Sequence, residues 1–255
     1  MEERKILINN HIINFQHKKL EKSSCTLVFI HGWGSCIEVW NKISQQLNSD
    51  IDILLIDLPG FGKSADLKKT FSTKDFVNIV QELLARLDIK NYVLVGHSFG
   101  GQIILHGVIS KILDPQGMVL INSAGIRKKM IYQKILKLSS QILLKYILTD
   151  KVKEWIYKHI LKSEDYINAK KNINLKNTLL TIINEDISNE LKKININTLI
   201  IWGNKDNITP LKQGEFMNSQ IKNSKLYVLD GDHFVPINKA KEIYKVISDW
   251  LKQIL

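Results

Sequence analysis

The sequence predicts an α/β fold: a mostly parallel central sheet flanked by helices, with a helical cap inserted after the sixth strand. Three observations carry this expectation. Short β-rich apolar runs recur along the chain, and most are followed by a glycine-bearing turn and then a helical pattern. Strands that alternate with helices in this way build βαβ units, whose crossovers impose parallel pairing. The runs are also nearly continuous in apolar residues, as expected of strands covered on both faces.

Taken in order, residues 5–15 read as an antiparallel hairpin at the sheet edge, with Asn9-Asn10 at its centre. Apolar runs at 25–31, 51–57, 92–96, 118–122, 198–203 and 225–229 read as the strands that follow, which makes 118–122 the sixth of the chain. Thr73 precedes a helix over 74–87 whose Phe76, Val77, Val80, Leu83, Leu84 and Leu87 share one face. Between Ile126 and Ile194 the strand rhythm stops and helical patterns replace it. The expected organisation is therefore core over 1–125, helical cap over 126–194, and core again over 195–255. No internal repeat or low-complexity linker suggests an independent domain.

At 255 residues, 44% hydrophobic and 24% charged, the chain has the composition of one ordinary globular α/β domain. The formal net charge of +11 comes almost wholly from lysine, since arginine occurs only at positions 4, 86 and 127. Scattered lysines argue against nucleic-acid recognition, which favours the bidentate guanidinium. The first ten residues lack the apolar stretch of a secretory signal, and no apolar run reaches the length of a membrane span. A cytoplasmic location is expected, and Cys25 and Cys36 fit a reduced pair better than a disulfide framework. The oligomeric state is left open.

The strongest chemical signal is Gly96-His97-Ser98-Phe99-Gly100, set between a buried strand and a helix beginning near Gln102. A G-x-S-x-G turn there forces the serine into a strained conformation at the carboxyl edge of the sheet, and its glycines leave room where side chains would clash. Ser98 is thus the candidate nucleophile. The helix behind it aims backbone N–H groups at a developing oxyanion. The loop His31-Gly32-Trp33-Gly34 follows an earlier strand. It is expected to complete an oxyanion hole, with the amides of Trp33 and Phe99 as donors and His31 bracing the loop.

A serine hydroxyl needs a base, and His233, just after the run 225–229, is the candidate. His11 and His17 precede the core, His97 flanks the nucleophile, His106 lies in the next helix and His159 in the cap. Asp206, in Gly203-Asn204-Lys205-Asp206, follows the order serine, acid, histidine and precedes a helix opened by Thr209-Pro210. Asp230 and Asp232 are poorer candidates for the acid because they lie beside the base. The loop 57–64, Asp-Leu-Pro-Gly-Phe-Gly-Lys-Ser, lacks Walker A spacing and reads as a structural turn at the rim. No cluster has metal-ligand spacing and no G-x-G-x-x-G is present, so a reaction without metal or cofactor is expected.

These motifs, HGWG at 31–34, DLPGFGKS at 57–64, GHSFGG at 96–101 and the Asp206/His233 pair, resemble the α/β-hydrolase superfamily over nearly the whole chain. Serine at the elbow separates it from the dehalogenases and epoxide hydrolases of that fold, which use aspartate there. The segments HGWGSCIEVW and LLIDLPGFGKS are similar to the pimeloyl-acyl-carrier-protein methyl ester esterases, although the elbow carries His97 and Phe99 where those typically have Trp and Leu. The resemblance implies a serine esterase acting on small-molecule or acyl-chain esters, with acyl carrier protein as a further partner. A meta-cleavage C–C hydrolase and a non-catalytic ligand receptor on the same fold are the alternatives.

Overall fold

The computed structural model describes residues 1–21, 23–47, 51–127 and 172–255. The predicted α/β architecture is present, built on an eight-stranded sheet in the order β1-β2-β4-β3-β5-β6-β7-β8. β1 (Glu2–Ile8) and β2 (His11–Lys18) form the expected hairpin. Asn9 and Asn10 both have positive φ, 47° and 64°. Two left-handed residues are what a tight primed turn needs, and asparagine tolerates that conformation well. β2 runs antiparallel to β4, and the remaining pairs are parallel.

β3 (Thr26–Ile30), β4 (Asp52–Ile56), β5 (Tyr92–His97) and β6 (Gly117–Ile121) are buried at every position. Their side chains alternate between two cores: Val28, Ile30, Leu54, Ile56 and Leu94 enter one, and Leu27, Phe29, Ile53, Leu55, Val93 and Val95 enter the other. A continuous apolar run is thus the mark of a strand with helices on both sides. β7 (Asn197–Gly203) is buried after its first residue. β8 (Ser224–Leu229) departs from the pattern, because as an edge strand it leaves Tyr227 and Val228 largely exposed.

The first long helix, α1 (Thr73–Arg86), buries Phe76, Val77, Val80, Leu83 and Leu84 as the spacing predicts, while Leu87 is only partly buried. Its cap is Ser72 and not Thr73: Ser72 and Asp75 form a reciprocal capping box. Thr73 instead lies inside the fold, where its hydroxyl accepts a bond from Gln102 Nε2. α2 (Phe99–Ile109) begins three residues earlier than the sequence suggests. Helix α3 (Ile173–Ile182) and a 3₁₀ turn at Ser188–Lys193 precede β7, α4 (Leu211–Gln220) joins β7 to β8, and α5 (Ala240–Ile254) closes the chain. Pro210 is the N-cap of α4, so the helix starts at Leu211, one residue later than a helix with proline at its first position.

Most of the predicted cap, residues 128–171, lies outside the described residues. Its downstream part is fastened to the core. Leu175, Leu179 and Ile182 of α3 join the core cluster of β3 and α2, and Phe71 N–H donates to Thr178 Oγ1 at 2.8 Å. Among the described residues no helix is long and apolar enough to cross a membrane.

Candidate active site

The sheet order places β3 between β4 and β5, so the chain leaves β3 toward one side and β5 toward the other. Loops that diverge at such a reversal open a crevice at the carboxyl ends of the strands. The loop after β3 carries His31 to Gly34 and the turn after β5 carries Ser98. They lie against each other: a Cβ on Gly32 would sit 3.3 Å from Ser98 Cβ.

Ser98 has φ 50° and ψ −113°, the strained conformation expected of this elbow, and its side chain is half-buried. Such a backbone costs about 1–3 kcal/mol and persists only where its surroundings over-determine it. Here Ser98 N–H donates to Ile121 O at 3.0 Å, and Ser98 O accepts from Gln102 N–H and Ala124 N–H. Gly100 permits the close approach, because a Cβ there would overlap the Ile30 carbonyl oxygen. Gly100 and Gly101 therefore belong to the first turn of α2, which explains its early start, while Gly96 lies in β5. As at any helix N-terminus, the first amides have no intrahelical acceptor.

The loop after β3 is braced from below. Leu58 N–H donates to His31 Nε2 at 3.0 Å, which forces the proton onto Nδ1, and Nδ1–H donates to Gly32 O at 2.7 Å. Gly34 turns the chain at φ 70°. The Trp33 ring meets Phe61 and Phe99 edge to face, with centroids 4.8 and 5.7 Å away. The 57–64 loop is structural, as expected: buried Asp57 accepts from Asn14 Nδ2, Ile37 N–H and Lys63 N–H.

Asp206 and His233 are brought into direct contact. Nδ1 of His233 lies 2.8 Å from Oδ2 of Asp206, and both side chains are almost fully buried. Asp206 follows β7 and His233 follows β8, at the same carboxyl edge as Ser98. The carboxylate gathers further donors: Ile208 N–H and Thr209 N–H on Oδ1, and Thr209 Oγ1 and Asn122 Nδ2 on Oδ2. Burial pushes this carboxyl up, but the bonds from His233 and Thr209 and the charge of the imidazole outweigh it and hold it below the ordinary aspartate value. Asp230 instead pairs with Lys205 at the surface, and Asp232 uses its carboxylate on Phe234 N–H.

His97 lies within this arrangement. Its Nε2–H donates to the His233 carbonyl at 2.8 Å, and the two rings are 4.9 Å apart. It thereby ties the elbow to the loop that carries His233. The sequence places His97 beside the nucleophile as support for the elbow, but does not point to Asn122, Thr209 or Trp202 as members of the site. Trp202 is fully buried, and its indole N–H holds the Thr209 carbonyl at 2.8 Å. Asn122 had a positional signal, since it directly follows β6 at the carboxyl edge of the sheet. Among the described residues no group of three or more His, Cys, Asp and Glu side chains could hold a metal ion.

Burial lowers the pKa of both His31 and His97, that of His97 to about 3, with His233 nearby adding to the effect. Their unfolded counterparts protonate near the ordinary value of about 6.5. Below that pH the unfolded state binds more protons than the folded one, so stability is full above it and falls on acidification toward the folded pKa. Each group adds a slope of up to about 1.4 kcal/mol per pH unit. The urea midpoint is therefore expected to fall steadily between about pH 6.5 and 4.5. His97→Gln, which retains a donor for the His233 carbonyl, should flatten part of that fall; an equally steep decline in the variant would exclude His97 as a source.

A model described as alpha/beta hydrolase fold matches residues 26–136, and one described as serine hydrolase (FSH1) matches residues 160–244. A Bacillus subtilis (strain 168) protein named uncharacterized hydrolase YugF is 30% identical over 246 residues, covering 89% of this chain and 90% of the relative. A pimeloyl-[acyl-carrier protein] methyl ester esterase of Wigglesworthia glossinidia brevipalpis is 31% identical over 212 residues, covering 74% of this chain and 78% of the relative. The structure of a thermophilic esterase from Thermogutta terrifontis superposes with a TM-score of 0.76 at 16% identity, covering 100% and 99% of the two chains.

Proposed function

This chain belongs to the α/β-hydrolase family, and from that premise we propose that it is a cofactor-independent serine hydrolase that cleaves carboxylic esters through an acyl-enzyme. The observation that carries the proposal is the buried His233–Asp206 contact at 2.8 Å, on the same sheet edge as the strained Ser98. In this reading Ser98 Oγ attacks the acyl carbon while His233 Nε2 takes its proton, and the amides of Phe99 and Trp33 bind the oxyanion. Asp206 keeps the Nδ1–H tautomer, so that Nε2 is free to accept. The imidazolium returns the proton to the leaving alcohol. Water, deprotonated by the same histidine, then releases the acid and restores Ser98.

The substrate class is a small or acyl-chain ester, supported by the apolar rings of Trp33, Phe61 and Phe99 beside the elbow. The insertion over 126–194 is proposed to act as a cap that shapes the acyl pocket. The Wigglesworthia relative and the lysine excess favour a second reading, an acyl group presented by a carrier protein. A series of p-nitrophenyl esters of increasing chain length tests the primary reading. Turnover with a chain-length optimum is expected. Absence of turnover on every ester, together with cleavage of a meta-cleavage-type diketone, would transfer the chemistry to C–C bonds.

A further inference from the structure

We infer that Asn122 is a positioning residue for the acid and base, an inference that rests on the serine-hydrolase reading and deepens it. Asn122 follows β6 with φ 44°, a left-handed conformation that asparagine accepts more readily than most residues. Its side-chain amide is fully engaged. Gly203 N–H donates to Oδ1 at 3.0 Å, which fixes the oxygen on that side and turns the NH2 the other way. Nδ2 then donates to Asp206 Oδ2 and, at 3.1 Å, to the carbonyl of Asp232, the residue before the base. One amide therefore joins the ends of β6 and β7, the acid itself and the histidine loop.

Chemistry explains why an amide serves here. Asp206 Oδ1 is held by two backbone N–H groups, but the oxygen that faces His233 has only the side chains of Asn122 and Thr209 to hold it besides the histidine. The Thr209 hydroxyl has a single proton and also lies 3.0 Å from the Asn122 carbonyl, so it cannot serve both acceptors at once. Asn122 Nδ2 is the donor that keeps Oδ2 aimed at Nδ1 without adding charge. A carboxylate at position 122 would place a second negative charge beside the imidazole. The other ionisable groups near His233 are His97, held neutral by burial, and the surface carboxylate of Asp232.

Asn122→Asp and Asn122→Gly test this, since both residues tolerate the left-handed backbone. Loss of a charge-assisted hydrogen bond should lower kcat on a short p-nitrophenyl ester by roughly 10- to 100-fold, with KM little changed. In Asn122→Asp the new carboxyl meets Oδ2 of Asp206, and the two must share a proton, so an additional group titrates at the site and the acidic limb of the kcat/KM profile should no longer coincide with that of the wild type. A merely structural role would change melting temperature or KM and leave that limb in place. If the aspartate variant does not fold, the glycine variant decides: kcat within a factor of two or three of wild type overturns the inference. The far-downfield proton resonance of His233 Nδ1 reads the same contact without turnover, and an unchanged resonance in a folded variant overturns it as well. A wild-type protein that turns over no ester but shows a resonance sensitive to Asn122 would instead refute the ester reading and leave the positioning role standing.

Discussion

Replacing Ser98 by alanine is expected to lower ester turnover by up to about 10⁶-fold, by analogy with other triads, while the protein remains folded. The size follows from the proposed chemistry, in which loss of Oγ removes the acyl-enzyme and leaves only the oxyanion donors and the binding site to assist water. Retention of the fold follows from the elbow. Its strained backbone is held by main-chain bonds to Ile121, Gln102 and Ala124 and by the close packing of Gly100 on Ile30, none of which uses the serine side chain. Alanine at φ 50° bears a strain like that of serine, so the melting temperature should change by only a few degrees. Turnover near the wild-type rate by a folded variant would remove Ser98 from the mechanism.

Asp206→Asn is expected to lower turnover by up to about 10⁴-fold. Two backbone N–H groups face Oδ1, so the new amide must turn its oxygen toward them and its NH2 toward His233 and Asn122. The imidazole then meets a donor, Nδ1 becomes an acceptor, and the proton moves to Nε2, where it blocks removal of the serine proton. Asn122 Nδ2 meanwhile faces another NH2 group. The change should therefore also cost stability, on the order of 1–3 kcal/mol for buried donors left unpaired. Asp232→Asn should do far less, because that carboxylate is exposed and its bond to Phe234 N–H survives in the amide. Steady-state kinetics on one activated ester ranks the two variants, and the reverse order would move the acid to position 232.

The strands of the central sheet were legible because burial on both faces leaves a direct mark, a continuous apolar run. β8 was legible as a strand but not as an exposed edge, since Leu226 and Val228 are as apolar as core residues and only the sheet order reveals that no strand follows. Helix ends were read less well. Ser72 and Thr73 are both capping types, and the choice between them lies in Asp75, which completes a box only with Ser72. Gly100 and Gly101 looked like a turn, although close packing against Ile30 and Ser123 makes them the start of α2.

Within the site, the positions of Ser98, Asp206 and His233 follow from motif and chain order, and the brace at His31 from its place at the start of the loop after β3. The parts that Asn122, Thr209 and Trp202 play were not legible beyond the place of Asn122 directly after a strand. Asn122 bonds to Gly203, Asp206 and Asp232, all distant in sequence, and nothing local distinguishes such an asparagine from one that merely ends a strand; Trp202 and Thr209 read as ordinary residues of a strand end and a helix start.

Treatment with a fluorophosphonate probe, followed by mass spectrometry of the intact protein and its peptides, tests the central claim most directly. The account predicts a single covalent adduct on the peptide that contains Ser98, formed by the wild type, slowed in Asp206→Asn and absent from Ser98→Ala. A folded wild-type protein that stays unlabelled, or that carries its adduct on another residue, would contradict it.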